Sequence, residues 1–268
     1  MILPLLLLAA QSAPVPAPVS GPPDPVEQRF DRCVDLAEDD PHAAEDEAAR
    51  WQREGGGFLS HQCLGISYAN QTRWTAAAAE FEAAARGGEI AKDKRAANYW
   101  AQAGNAWLAG GDAMRARGAL NAALGSGTLQ GMQRGEANLD RARAFVASGN
   151  LPDARPDLDR ALIDAAADPL AWLLSATLAR RTGELPRAKK DIAEAIKLAG
   201  DDPSVQLEAG NIAAALGDEA GAKAAWNSAA KLKPDSEAAR NARNALKQFD
   251  APVPAPAATT TAAPPAKQ

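Results

Sequence analysis

Between about 26 and 249, apolar and small residues return at three- and four-residue steps. That spacing gives a helix one buried stripe. Alternating runs do not persist and β-branched residues are sparse, so little strand is expected. Ala, Leu, Glu, Arg and Lys dominate, which favours helix. Turn-forming clusters interrupt the pattern: EGGG at 54–57, ARGG at 85–88, AGGD at 109–112, ASGN at 147–150, TGE at 182–184 and LGD at 216–218. The chain therefore reads as helix, short turn, helix, repeated.

The interval can be measured from the turn residues Thr72, Gly111, Gly149, Gly183 and Gly217, which stand 39, 38, 34 and 34 residues apart. A fixed period of this length means stacked helical units, each too small to bury its apolar face alone. Longer joints at 85–96 and 124–134 account for the first two steps and are expected to bend the array or extend a helix.

Within each unit the residues resemble the tetratricopeptide repeat (TPR). The first unit has Leu64, Gly65 and Tyr68, then Ala77, Phe81 and Ala84. The second has Trp100, Gly104 and Trp107, then Ala116, Leu120 and Ala123. The third has Ala142 and Phe145, then Ala154, Leu158 and Ala161. The fourth has Trp172, Ala176 and Ala179, then Ala188, Ile192 and Ala195. The fifth has Gly210 and Ala213, then Ala222, Trp226, Ala229 and Pro234. Ala179 and Ala213 stand where the family usually has an aromatic. His61 takes a large-residue position and is expected to pack.

The resemblance implies an all-α fold, a right-handed superhelical α-solenoid of TPR hairpins. It also implies a concave groove, lined by the first helix of each unit, that binds a protein or peptide. The groove residues it points to are Gln62, Ile66, Asn98, Asn105, Leu139, Arg143, Arg180 and Asn211. Asn105 and Asn211 resemble the asparagines with which family members hold a peptide backbone or terminal carboxylate. The matching clamp lysines are absent, since Ala101 and Leu108 flank Asn105. An extended segment held by amides, Arg143 and Arg180 is the expectation.

Outside the repeats, residues 1–12 read as a signal peptide, with an apolar run over 2–10 that is too short to span a bilayer. Residues 13–25 are a Pro/Ala-rich linker, 26–57 an N-terminal helical cap, 58–249 the array of about five repeats with a closing helix, and 250–268 a Pro/Ala/Thr tail expected to be disordered. The cap is acidic, with ten Asp/Glu against four Arg over 27–54. It is a solvated face or a docking surface for a basic partner.

The only two cysteines, Cys33 and Cys63, lie near the only two histidines, His42 and His61. An exported chain with two Cys favours a Cys33–Cys63 disulfide. The alternatives are a zinc site, a thiol nucleophile with a His base, and two unrelated thiols. His61 and Cys63, two apart on one helix, point about 200° apart, which works against a shared metal or a nucleophile–base pair.

A net charge of −5 and a pI near 5.2, with no basic cluster interleaved with aromatics, argue against a nucleic-acid partner. No phosphate loop, HExxH, GxSxG or nucleotide fingerprint is present. The expectation is a non-enzymatic scaffold without cofactor or metal, without a membrane-spanning segment in its mature form, and able to form oligomers. Its place would be the periplasm, with the cytoplasm as the alternative. A self-associating repeat protein whose groove holds its own tail or another copy is the second reading. A thiol- or metal-dependent activity at Cys33 and Cys63 is the third.

Overall fold

A computed structural model describes residues 24–249. The expected signal peptide, nearly all of the linker and the tail lie outside the described residues. Thirteen helices follow one another among them. Six antiparallel hairpins pair α1 (Pro25–Asp39) with α2 (Pro41–Arg53), α3 (Gly57–Asn70) with α4 (Trp74–Ile90), α5 (Ala96–Ala109) with α6 (Ala113–Gly125), α7 (Gly131–Ala147) with α8 (Leu151–Asp164), α9 (Pro169–Arg181) with α10 (Leu185–Ala199) and α11 (Pro203–Ala215) with α12 (Glu219–Leu232). Helix α13 (Glu237–Phe249) covers the last hairpin through Leu246 and Phe249.

The turns share one local device. Thr72, Gly111, Gly149, Gly183 and Gly217 all have positive φ, between 57° and 82°. The next residue returns its N–H five residues back: Arg73 to Tyr68, Asp112 to Trp107, Asn150 to Phe145, Glu184 to Ala179 and Asp218 to Ala213, at 2.8–2.9 Å. This is a Schellman closure, which satisfies carbonyls that the helix end would leave orphaned. Ala179 and Ala213 thus hold the same backbone position as the aromatics of the earlier units. The helix starts repeat as well. Asp24, Asp40, Asp112, Asp168, Asp202 and Asp218 each accept a backbone N–H at 2.6–3.1 Å. Such caps offset part of the cost of nucleating a short helix.

In three hairpins, α3–α4, α5–α6 and α11–α12, the first and second helices close on a glycine. A Cβ at Gly65 would lie 2.6 Å from Phe81, one at Gly104 2.4 Å from Leu120, and one at Gly210 2.4 Å from Trp226. The core is otherwise a stack of buried alanines with Leu, Ile, Phe and Trp between them. Phe145 and Trp172 are only partly buried. Trp100 and Trp172 turn their N–H groups outward to Glu89 and the Ala166 carbonyl.

The longer steps resolve into helix length. The cluster 85–88, expected as a breaker, lies inside α4, which runs through Gly87 and Gly88 to Ile90. Helix α7 is also 17 residues long, after a loop at 126–130. Close packing between first helices joins α1 with α3, α5 with α7, α9 with α11, and α11 with the closing helix α13. No comparable packing joins α3 with α5 or α7 with α9. These two gaps position the site described below.

Helices α1 and α2, expected as an N-terminal cap, pair as a hairpin that packs on α3. A Cys33–Cys63 disulfide ties α1 to α3, with Cα atoms 6.1 Å apart and both residues buried. Glu27 of α1 pairs bidentately with Arg95 at 2.8–2.9 Å. Among the described residues no cluster of three or more His, Cys, Asp or Glu side chains is arranged for a metal, and no helix is long and apolar enough to cross a membrane.

Candidate functional site

The first-helix face carries two neighbouring depressions. The larger, about 420 Å3, lies where α3 and α5 part, and α7 forms its far wall. Helix α3 contributes Gln62. Helix α5 and the turn before it contribute Arg95, Asn98, Tyr99, Gln102 and Asn105. Helix α7 contributes Gln133, Glu136 and Asp140. Of the residues expected in the groove, Gln62, Asn98 and Asn105 meet here.

Three polar atoms in this cleft have no partner among the described residues: Gln62 Oε1, the Tyr99 hydroxyl and Gln102 Oε1. Gln62 is 9% exposed and Tyr99 1%. A buried polar atom without a hydrogen bond costs about 1–3 kcal/mol, so such atoms are uncommon unless water or a ligand meets them. Burial pushes the Tyr99 phenol up to about 12, which keeps it a neutral donor. Arg95 is already committed. It pairs with Asp93 and Glu27, which hold it firmly protonated, and it lies over the Phe58 ring.

Helix α7 makes the acidic side. Asp140 accepts from Asn105 at 2.9 Å and from Arg143 at 2.7 Å. Glu136 has no ion-pair partner among the described residues. Its carboxyl is raised, first by burial and then by the carboxylates of Asp168 and Asp140.

The second depression, about 180 Å3, occupies the gap between α7 and α9. Ala142, Val146, Leu174 and Leu178 wall it, Leu158 of α8 lies behind, and Arg143 and Arg181 stand at its margin. Arg181 makes no ion pair among the described residues. The Asp140–Arg143 pair separates this apolar pocket from the polar cleft.

The other expected groove residues lie elsewhere. Leu139 is 3% exposed and belongs to the core between α7 and α8. Ile66 packs against the core beside Tyr68. Arg180 of α9 pairs with the buried Glu208 of α11 at 2.6 and 3.1 Å. Asn211 donates to the same carboxylate and accepts from Trp226 Nε1, both at 3.1 Å. A buried carboxylate needs such partners, so Arg180 joins two hairpins and Asn211 is held within its own. His61 is half-exposed and polar in its contacts, with Nδ1 2.7 Å from Glu80 and 3.0 Å from Gln52.

Tyr99, Gln102, Glu136 and Asp140 do not follow from the repeat residues. Their trace in the sequence is a polar stripe, 95/98/102/105 on and before α5, that returns 38 residues later at 133/136/140/143 on α7. Only Gly131–Ala147 being helical puts the second stripe opposite the first.

No protein-family model matches the chain, and no curated protein matches it in sequence. Solved structures do match. PilF of Pseudomonas aeruginosa is 14% identical, with a TM-score of 0.66 over 83% of this chain and 100% of its own. PilW, a type IV pilus biogenesis factor, is 18% identical, with a TM-score of 0.66 over 80% and 96%. YrrB, a TPR protein with an unusual peptide-binding site, is 18% identical, with a TM-score of 0.56 over 74% and 96%. With helix hairpins closed on small residues, one Schellman turn repeated five times and these solenoids as its structural likenesses, the chain has the tetratricopeptide-repeat fold.

Proposed function

We propose that this chain is a non-enzymatic scaffold that holds an extended peptide or protein segment against its first helices, in the cleft between α3, α5 and α7. One observation carries the reading: three buried polar atoms without a partner among the described residues belong to Gln62, Tyr99 and Gln102, which all line one cleft. An extended backbone offers an N–H and a C=O at every residue and would satisfy them together with Asn98. At these identities the likeness to YrrB and PilW lends the fold and not their ligands. Export to the cell envelope is part of the proposal. The buried Cys33–Cys63 disulfide supports it, because such bonds persist in oxidising compartments.

The test is capture from an envelope extract by the purified chain and by an Asn98→Ala/Gln102→Leu variant that keeps its helical circular dichroism. Specific partners retained by the first and lost by the second are expected. An unchanged partner set would sink the assignment to this cleft. Fusing residues 1–25 to a reporter enzyme active only after export checks the location, and an inactive fusion argues for the cytoplasm.

A further inference from the structure

The two depressions differ in chemistry and share one helix. Glu136 lines the polar cleft from an exposed position, with no ion-pair partner among the described residues and with the carboxylates of Asp168 and Asp140 acting on it. Among the described residues the one cation lining that cleft, Arg95, is already neutralised by Asp93 and Glu27. A positive group from outside is what this cleft lacks. The neighbouring pocket is walled by aliphatic side chains, and Arg181 at its margin has no ion-pair partner among the described residues.

From Glu136 to the middle of the pocket, near residue 144, is eight residues of α7, or about 12 Å at the helical rise. An extended chain covers that distance in about four residues. Residues four apart in an extended chain point to the same side, so one strand can fill both depressions.

We propose that the ligand is an extended peptide carrying a Lys or Arg for the cleft at Glu136 and, four residues away, an aliphatic side chain for the pocket between α7 and α9. The inference rests on the peptide-binding reading above and names its specificity. Charge complementarity selects the basic residue. The apolar lining, with room for one side chain, selects the other.

The experiment is fluorescence anisotropy of the full chain with a labelled peptide, Ala-Lys-Ala-Ala-Ala-Leu-Ala-Ala. Binding is expected to weaken about tenfold when its Lys becomes Glu, and about tenfold or more when its Leu becomes Ser. Moving Leu to two residues from Lys should weaken it comparably. Glu136 is on the surface, so Glu136→Lys should fold normally and reverse the preference, favouring the peptide with Glu. Thr177→Phe, which fills the pocket, should abolish the advantage of Leu over Ser and leave the charge preference intact. Equal binding of the Lys and Glu peptides, or no reversal in Glu136→Lys, overturns the proposal. So does binding that appears only after residues 250–268 are removed, since the occupant would then be the chain's own tail. A random peptide library separates the two readings. Sequences retained without preference for Lys or Leu leave peptide binding standing and overturn this inference; no retained sequence overturns both.

Discussion

At the scale of single residues, glycines decide how closely the helices approach. Gly104 faces Leu120 with no room for a Cβ, whereas Gly118, on the outer side of α6, has nothing within 4 Å. The same substitution should therefore have opposite signs at the two sites. Gly104→Ala forces Leu120 off its packing and should cost about 1–3 kcal/mol. Gly118→Ala should gain about 0.5–1 kcal/mol, the ordinary helix preference of Ala over Gly. Urea denaturation of the two variants checks both. His61 is a residue whose type misleads. It stands where the family packs a large side chain, yet it bonds Glu80 and Gln52 at the surface between α3 and α4.

At the scale of elements, α1 depends on ties to other helices. Its own polar face buries only Cys33 and Ala37. The disulfide to α3 closes a loop of 30 residues, worth about 3–4 kcal/mol in the simplest chain-entropy treatment. Cys33→Ser/Cys63→Ser should lower stability by up to that amount. Amide exchange should accelerate in α1 and α2 well before α9–α12. Uniform acceleration would contradict the hairpin-by-hairpin view. Intact mass should rise by about two daltons on reduction, the two hydrogens of an opened disulfide.

The other tie of α1 is the Glu27–Arg95 ion pair, and Arg95 also holds the turn before α5. Asp93 is held below the usual carboxylate range by hydrogen bonds from the Arg95 side chain and backbone, against a smaller opposing effect of burial. Arg134 does the same for Asp164 between α7 and α8. A depressed folded pKa adds stability that is present above the unfolded value, about 4, and lost as pH falls through the folded one. The urea midpoint should therefore drop below about pH 4, and Asp93→Asn should flatten that drop. An equally steep profile in Asp93→Asn would remove Asp93 from the account.

At the scale of the molecule, the departure from a strict 34-residue period matters more than the period. Helices α4 and α7 are each 17 residues long, and the depressions sit where α3 and α5, and α7 and α9, are not closely packed. Because each hairpin touches mainly its neighbours, unfolding should not be all-or-none. Hairpins α9–α12 lack a covalent staple and should open at lower urea than α1–α4, whose two hairpins the disulfide joins. Site-resolved exchange at increasing urea measures this, and one common opening free energy would refute it.

The sequence alone determined the helices, the turns at Thr72, Gly111, Gly149, Gly183 and Gly217 and the small residues at hairpin contacts, but not that 85–88 lies inside α4. Each depends on residues within about one repeat, through local hydrogen bonding and nearest-neighbour packing. It also carried the period, and so the fold. The tertiary structure decided which polar side chains are available. Gln62, Asn98 and Asn105 share a cleft with Tyr99, while Arg180 and Asn211 are tied to Glu208, though all of these belong to first helices. That difference rests on how far neighbouring hairpins are displaced and on which buried carboxylate claims a nearby donor. The ties of Arg180 to Glu208 and of Asn105 to Asp140 span 28 and 35 residues, and no local pattern encodes them, whereas Asn211 meets Glu208 three residues away on its own helix.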